Sequence, residues 1–183
     1  GSGGNQWSNN YLNYGFDYFL NEKTSLNFYG DWYSHTSDMD DFLFRTEVLI
    51  NDSLNEYSTI NQNNLNKGQS NYFSLFAKRK LDEDGSELTI EGNYYRYNSK
   101  EINEYEDTYF TLSTMDIEQI IQRLEKNYNN RQSMEIKTDL TLVQENFKHE
   151  FGYHFYNQWM NNTFETESNP SPTNFKYNEL RHS

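Results

Sequence analysis

Cysteine is absent from the 183-residue chain, which rules out disulfide frameworks, thiolate zinc sites and cysteine nucleophiles. Alanine occurs once, at Ala77, and proline twice, at Pro170 and Pro172. With so little small aliphatic filler, an all-helical chain is disfavoured. No run of about 18 apolar residues exists, so no transmembrane helix is expected, and no charged-then-apolar signal segment opens the sequence. Basic residues are also scarce: 15 Lys and Arg face 28 Asp and Glu, for a net charge of −13. That balance opposes attraction to a phosphate backbone, so no nucleic-acid partner is expected. Gly1-Ser2-Gly3-Gly4 reads as a linker or expression remnant, and residues 1–5 are set apart from a single expected domain over 6–183.

What the chain has instead is rings, at 17% of its residues, and a period of two. Leu12, Tyr14, Phe16, Tyr18 and Leu20 alternate with Asn13, Gly15, Asp17 and Phe19, the pattern of a strand with one apolar face. Asn21-Glu22-Lys23-Thr24 supplies a turn. Leu26, Phe28, Gly30 and Trp32 then restart the alternation against Asn27, Tyr29, Asp31 and Tyr33. A second hairpin sets Phe73, Leu75, Ala77 and Leu81 before Asp82-Glu83-Asp84-Gly85-Ser86, and Leu88, Ile90, Gly92 and Tyr94 after it. Gly85 provides the positive φ such turns need. A third runs through Met134, Ile136, Leu140 and Leu142, turns at Gln144-Glu145-Asn146, and returns as Phe147, Phe151, Tyr153, Phe155 and Trp159, with His149 as a polar intrusion. Phe175 and Tyr177 begin one more strand.

Two long polar stretches, 35–69 and 99–130, separate these hairpins. In the first, Phe42, Phe44, Val48 and Ile50 suggest a strand projecting beyond the sheet before a turn at Asn51-Asp52. In the second, Ile117, Ile120, Ile121, Leu124 and Tyr128 follow Ser113-Thr114-Met115-Asp116 at helical spacing, which predicts a short helix near 115–128.

The expected fold is therefore all-β: six to seven antiparallel up-and-down strands, short turns at one end and long loops at the other. That matches a segment of a transmembrane β-barrel, with apolar positions on lipid and polar ones on a wet lumen. Trp7, Tyr18, Phe19, Trp32, Tyr33, Tyr94, Tyr95, Phe155, Tyr156 and Trp159 are candidates for interfacial girdles. The alternation alone also fits a soluble or surface-attached β-sandwich used for binding or adhesion. Scarce small filler favours lipid, because a protein core needs mixed sizes to pack densely.

The stretch from Tyr18 to Trp32, YFLNEKTSLNFYGDW, resembles a hairpin of the outer-membrane β-barrel family of Bacteroidota, related to TonB-dependent receptors. The stretch from Lys80 to Ile90, KLDEDGSELTI, is similar to that family's periplasmic turn and return strand, and Tyr94-Tyr95-Arg96-Tyr97 to its strand ending. The resemblance implies a bacterial outer-membrane location and a role in solute binding or uptake. It also implies partners: outer-membrane lipid, further barrel strands, a plug domain, and a TonB-type energy-coupling system acting through the full-length protein. Six or seven strands do not close even an eight-stranded barrel.

Candidates for chemistry are few. Asp38, Asp40 and Asp41 fit either a calcium site or a solvated acidic loop. His149 and His154, five apart, fall on opposite strand faces and do not converge on a metal. Glu101, Glu104, Glu106 and Asp107 include possible acid–base pairs for sugar hydrolysis, but no nucleophile elbow, phosphate loop or zinc-protease helix is present. Neither an enzyme activity nor a cofactor is expected. Asp17, Tyr29, Asp31, Glu91, Tyr95, Glu135 and Asp139 are the ligand-binding candidates for the lumen, with mutual pairing and hydration as the bland alternative.

Overall fold

A computed structural model describes residues 4–50, 53–112, 114–167 and 169–183. Seven strands form one antiparallel sheet in chain order: β1 Gly4–Asn21, β2 Thr24–Ile50, β3 Ser53–Lys80, β4 Glu87–Phe110, β5 Ile117–Gln144, β6 Phe147–Thr166 and β7 Asn169–His182. Among the described residues no second layer exists, so the sandwich reading is overturned. β1 already pairs from Gly4 and Asn5, opposite Asp40 and Met39. The ladder thus reaches two residues into the stretch set aside as linker.

Short turns fix the register at one end. Asn21 Oδ1 accepts from the Lys23 amide at 2.9 Å. In the β3–β4 turn, Asp82 Oδ1 accepts from the amides of Asp84 at 3.0 Å and Ser86 at 2.8 Å, and Gly85 sits at φ 106°, where a side chain would be strained. Hydrogen bonds from the Ser86 side chain and from its amide depress the Asp82 pKa, helped by the Asp84 and Gly85 amides. Ser86 Oγ also accepts from the Val143 amide at 2.9 Å, tying this turn to the end of β5.

That register carries the apolar positions across the sheet without slipping. One row reads Phe16, Phe28, Leu75, Gly92, Ile136, Phe155, and the next toward the turns reads Tyr18, Leu26, Ala77, Ile90, Thr138, Tyr153. Leu12, Phe16, Leu75, Ile90, Phe151 and Leu180 are exposed, and no hydrophobic side chain is buried among the described residues. The accessible surface of 12934 Å² compares with roughly 9,300 Å² for a folded globular chain of this mass. Water is the wrong solvent for such a surface.

The far end differs from the expectation. The stretches 35–69 and 99–130 are not loops: β2 pairs with β3, and β4 with β5, almost to their tips. The predicted helix is strand. Met115 adopts φ 57° in a turn closed by Met115 N–H to Thr111 O at 2.7 Å and Thr111 N–H to Asp116 O at 2.9 Å, and β5 starts at Ile117. A partner strand is present along its whole length, with Ile121 opposite Asp107 and Leu124 opposite Glu104. Isoleucine suits that pleat better than a short exposed helix. Ser113 of the expected cap and the Asn51-Asp52 turn lie outside the described residues.

Candidate lumenal site and the family

The face opposite the apolar one carries all seven lumen candidates, and the register sorts them into rows. Glu91 and Glu135 belong to one network. Asn93 donates from Nδ2 to Glu91 Oε1 at 2.8 Å and to Glu135 Oε2 at 3.2 Å, while its Oδ1 accepts from the Tyr72 hydroxyl at 2.8 Å. Glu135 Oε1 further meets Lys137 Nζ at 3.1 Å and His154 Nε2 at 2.8 Å. A carboxylate with two cationic-capable neighbours and an amide is thereby fixed on a half-exposed wall.

Asp17 accepts from Asn27 Nδ2 at 2.6 Å, and the Tyr29 and Tyr72 rings lie 6.1 Å apart. Asp139 borders Gly152, where an added Cβ would stand 3.0 Å from its Oδ1. Asp31 and Tyr95 share a row with Tyr72 but make no hydrogen bond or ion pair among the described residues. The structure thus gathers Glu91 with Glu135, sets Tyr29 against Tyr72 and Asp139 in a depression beside Lys137 and His154 at the edge of that network, and leaves Asp17, Asp31 and Tyr95 outside it. Sequence reasoning missed Asn93, Lys137 and Tyr72. Counting strand positions back from the Asp82–Ser86 and Gln144–Asn146 turns was the signal that would have aligned them.

Adjacent rings divide between faces, which corrects the girdle expectation. Trp32, Tyr94 and Trp159 lie on the apolar side with Tyr18 and Phe155, whereas Phe19, Tyr33, Tyr95 and Tyr156 line the lumen side, as does Trp7 far from the turns. Phe155 is mid-band. Successive side chains on a strand must point opposite ways. Beyond the row of Trp32, Arg96 and Trp159, the same face turns polar with Ser34, Gln69, Asn98, Asn130 and Asn161. From Thr24 to Trp32 is eight residue steps; at about 3.3 Å per step and a tilt near 40°, that is roughly 20 Å, close to the apolar band of about 25 Å in outer-membrane barrels.

Farther out, a bulge at Asp40–Asp41 sets two residues against Asn63. Asp41 takes φ 55°, its amide donates to Asn63 Oδ1 at 2.8 Å, and its carboxylate accepts from Asn61 at 3.4 Å. The extra residue turns Phe42 and Phe44 to the lumen side, with rings 4.7 Å apart. Among the described residues no three His, Cys, Asp or Glu gather as a metal site. Of the carboxylates weighed for hydrolysis, Glu104 and Glu106 face outward while Glu101 and Asp107 face the lumen side. Asp107, 6% exposed, is held by Arg123 through Nε at 2.8 Å and Nη2 at 3.2 Å. Arg123 also lies 4.7 Å from the Tyr105 ring centroid. The Asp107 hydrogen bond raises the Arg123 pKa, and burial, then the Glu125 charge, raises that of Tyr105.

An apolar band about one bilayer tall, polar on its reverse, tight turns at one end and tall strands at the other, defines a transmembrane β-barrel wall. The model of the outer membrane protein beta-barrel family matches residues 79–183, more than half of the chain, and the chain belongs to that family. Its location is the bacterial outer membrane. No curated protein matches the chain.

Proposed function

We propose that this chain is part of a larger outer-membrane barrel similar to the TonB-dependent receptors of Bacteroidota, and that its lumen face contributes to binding or uptake of a solute. The observation that supports this most is the pairing network around Glu135, a fixed set of donors and acceptors on the wet side of a membrane-spanning wall. The seven strands from Gly4 to His182 supply the wall. A plug domain and additional strands complete it, with outer-membrane lipid outside and a TonB-type system as the energy source. The reading assigns no catalytic step and no cofactor.

The test uses the intact outer-membrane protein that carries this chain, reconstituted in liposomes, with flux or binding measured for a panel of small solutes. Glu135→Gln combined with Lys137→Met is expected to change solute selectivity at unchanged assembly. Identical selectivity in the variant, or no flux and no binding for any solute class, contradicts the reading.

A further inference from the structure

β5 projects three cations from the lumen side of the wall, Lys137, Arg131 and Arg123. Lys137 pairs with Glu135 at 3.1 Å and Arg123 with Asp107 at 2.8 Å. Arg131 is exposed and forms no ion pair among the described residues. Its Nη2 donates to Gln158 Oε1 at 3.1 Å, and Gln158, only 8% exposed, also accepts from the Tyr156 hydroxyl at 2.5 Å. A neutral amide thus holds the guanidinium in place without cancelling its charge, and leaves most of its five N–H donors free.

The surroundings are rings and amides rather than charges. Across the sheet the row of Arg131 reads Tyr33, Ser70, Tyr97, Arg131, Met160 and Tyr177. In this row and the next two outward, Glu101 is the only other Asp, Glu, Lys or Arg among the described residues, and the side-chain amides of Asn64 and Asn103 already engage it at 3.1 and 3.4 Å. The Tyr33 and His35 rings stack 5.7 Å apart, 29° from parallel. His35 lies over Gly68, where an added Cβ would stand 2.4 Å from its ring. Ser70, 9% exposed, forms a low floor between Tyr33 and Tyr97, whose strands are roughly 10 Å apart. Outward from Arg131 on the same face of β5 come Asn129 and Asn127.

Side-chain chemistry identifies the occupant. An unpaired guanidinium takes a planar two-oxygen anion in a bidentate grip, and its one charge matches a carboxylate better than the nearly double charge of a phosphate monoester. Tyrosine and histidine faces, negative above the ring, attract the C–H face of a sugar. Each carboxamide offers a donor and an acceptor to neighbouring hydroxyls. A peptide would bring an ammonium terminus as well, and the one nearby carboxylate, Glu101, is occupied. We propose that this part of the lumen wall binds an acidic oligosaccharide, with a uronate carboxylate on Arg131, sugar faces against Tyr97 and the Tyr33–His35 pair, and hydroxyls on Asn129 and Asn127. The site rests on the uptake reading above and gives that reading a substrate class.

The intact protein in detergent is titrated with tetragalacturonate, with its methyl ester, and with tetraglutamate; heat-modifiable electrophoretic mobility reports folding. Arg131→Gln removes hydrogen bonds to a charged group and is expected to weaken tetragalacturonate binding by about tenfold or more. The methyl ester is expected to bind wild type more weakly than the acid does, and to bind wild type and Arg131→Gln alike. Arg45→Gln, a cation on the outward face, is expected to bind the acid as wild type does. If Arg131→Gln fails to fold, Gln158→Glu, which sets a carboxylate on the guanidinium, carries the test with the same expected direction. Equal binding of the acid by wild type and variant overturns the proposal. So does equal weakening by Arg45→Gln, which would indicate nonspecific charge, and so does Arg131-dependent binding of tetraglutamate at equal affinity, which would assign the site to peptides. Absence of tetragalacturonate binding overturns it too; the uptake reading then survives if other solutes of the panel still bind or pass, and falls with it if none does.

Discussion

Two glycines illustrate how much a single Cβ weighs in this sheet. At Gly15 an added Cβ would stand 2.9 Å from the Phe28 carbonyl oxygen, a main-chain atom in the neighbouring strand. At Gly68 it would meet the His35 ring at 2.4 Å, but that ring is the end of a side chain and can move. Gly15→Ala is therefore expected to lower unfolding free energy in liposomes by about 1–3 kcal/mol, and Gly68→Ala by clearly less. Equal costs would mean that the ring over Gly68 is as rigid as the ladder. Asp82 gives a second residue-scale prediction, in pH. Its folded pKa lies below the unfolded value because Ser86, Asp84 and Gly85 donate to it. The stabilisation is present above the unfolded pKa and is lost as pH falls through the folded one. Exchange protection of the Ser86 amide should hold at about pH 5 and decline toward about pH 2, while Asp82→Asn flattens that decline. A pH-independent amide in the wild type would contradict it.

Among elements, the strands divide at the row of Trp32, Arg96 and Trp159 into a membrane part and an outer ribbon with different requirements. Within the band, neighbouring residues should respond oppositely: Leu75→Arg, on the apolar face near mid-band, is expected to cost about 2–4 kcal/mol in bilayers, and Ser74→Arg, one residue away on the wet face, far less. Similar costs would place both in one medium. In the ribbon, Asp107 depends on Arg123, so Arg123→Met should destabilise the outer β4–β5 pair by about 1.5–3 kcal/mol, read as faster exchange of the Thr108 and Gln122 amides with the band unaffected. Period two in Leu12–Leu20, Leu26–Trp32 and Leu88–Tyr94 made the band legible, since one side of each strand meets a uniform solvent. The ribbon was not legible that way. Both of its faces are mixed, the bulge at Asp41 shifts the alternation by one, and Ile117, Ile120 and Ile121 fit a helix as well as a strand until the pairing with β4 is known. The lumen candidates were legible as to face, because parity decides that. The partners of Glu135 were not, because they depend on register between strands.

On the scale of the molecule, the sheet ends in two edges, β1 and β7, and seven strands are too few to close. Stability cannot come from a core that the described residues lack; it must come from lipid on one face and continuous hydrogen bonding along the ladder. A barrel wall of this kind requires the ring-rich face to touch hydrocarbon. These 183 residues hold no cysteine, so with any cysteine elsewhere in the intact protein replaced a direct measurement is possible: single cysteines placed in turn at Tyr72, Phe73, Ser74, Leu75, Phe76 and Ala77 of the intact protein in liposomes, each carrying a fluorophore and exposed to a lipid-borne quencher and to an aqueous one. Strong lipid quenching at 73, 75 and 77, alternating with aqueous quenching at 72, 74 and 76, is the predicted result. Aqueous quenching at every position, or protection of 73, 75 and 77 from both quenchers, would contradict the account.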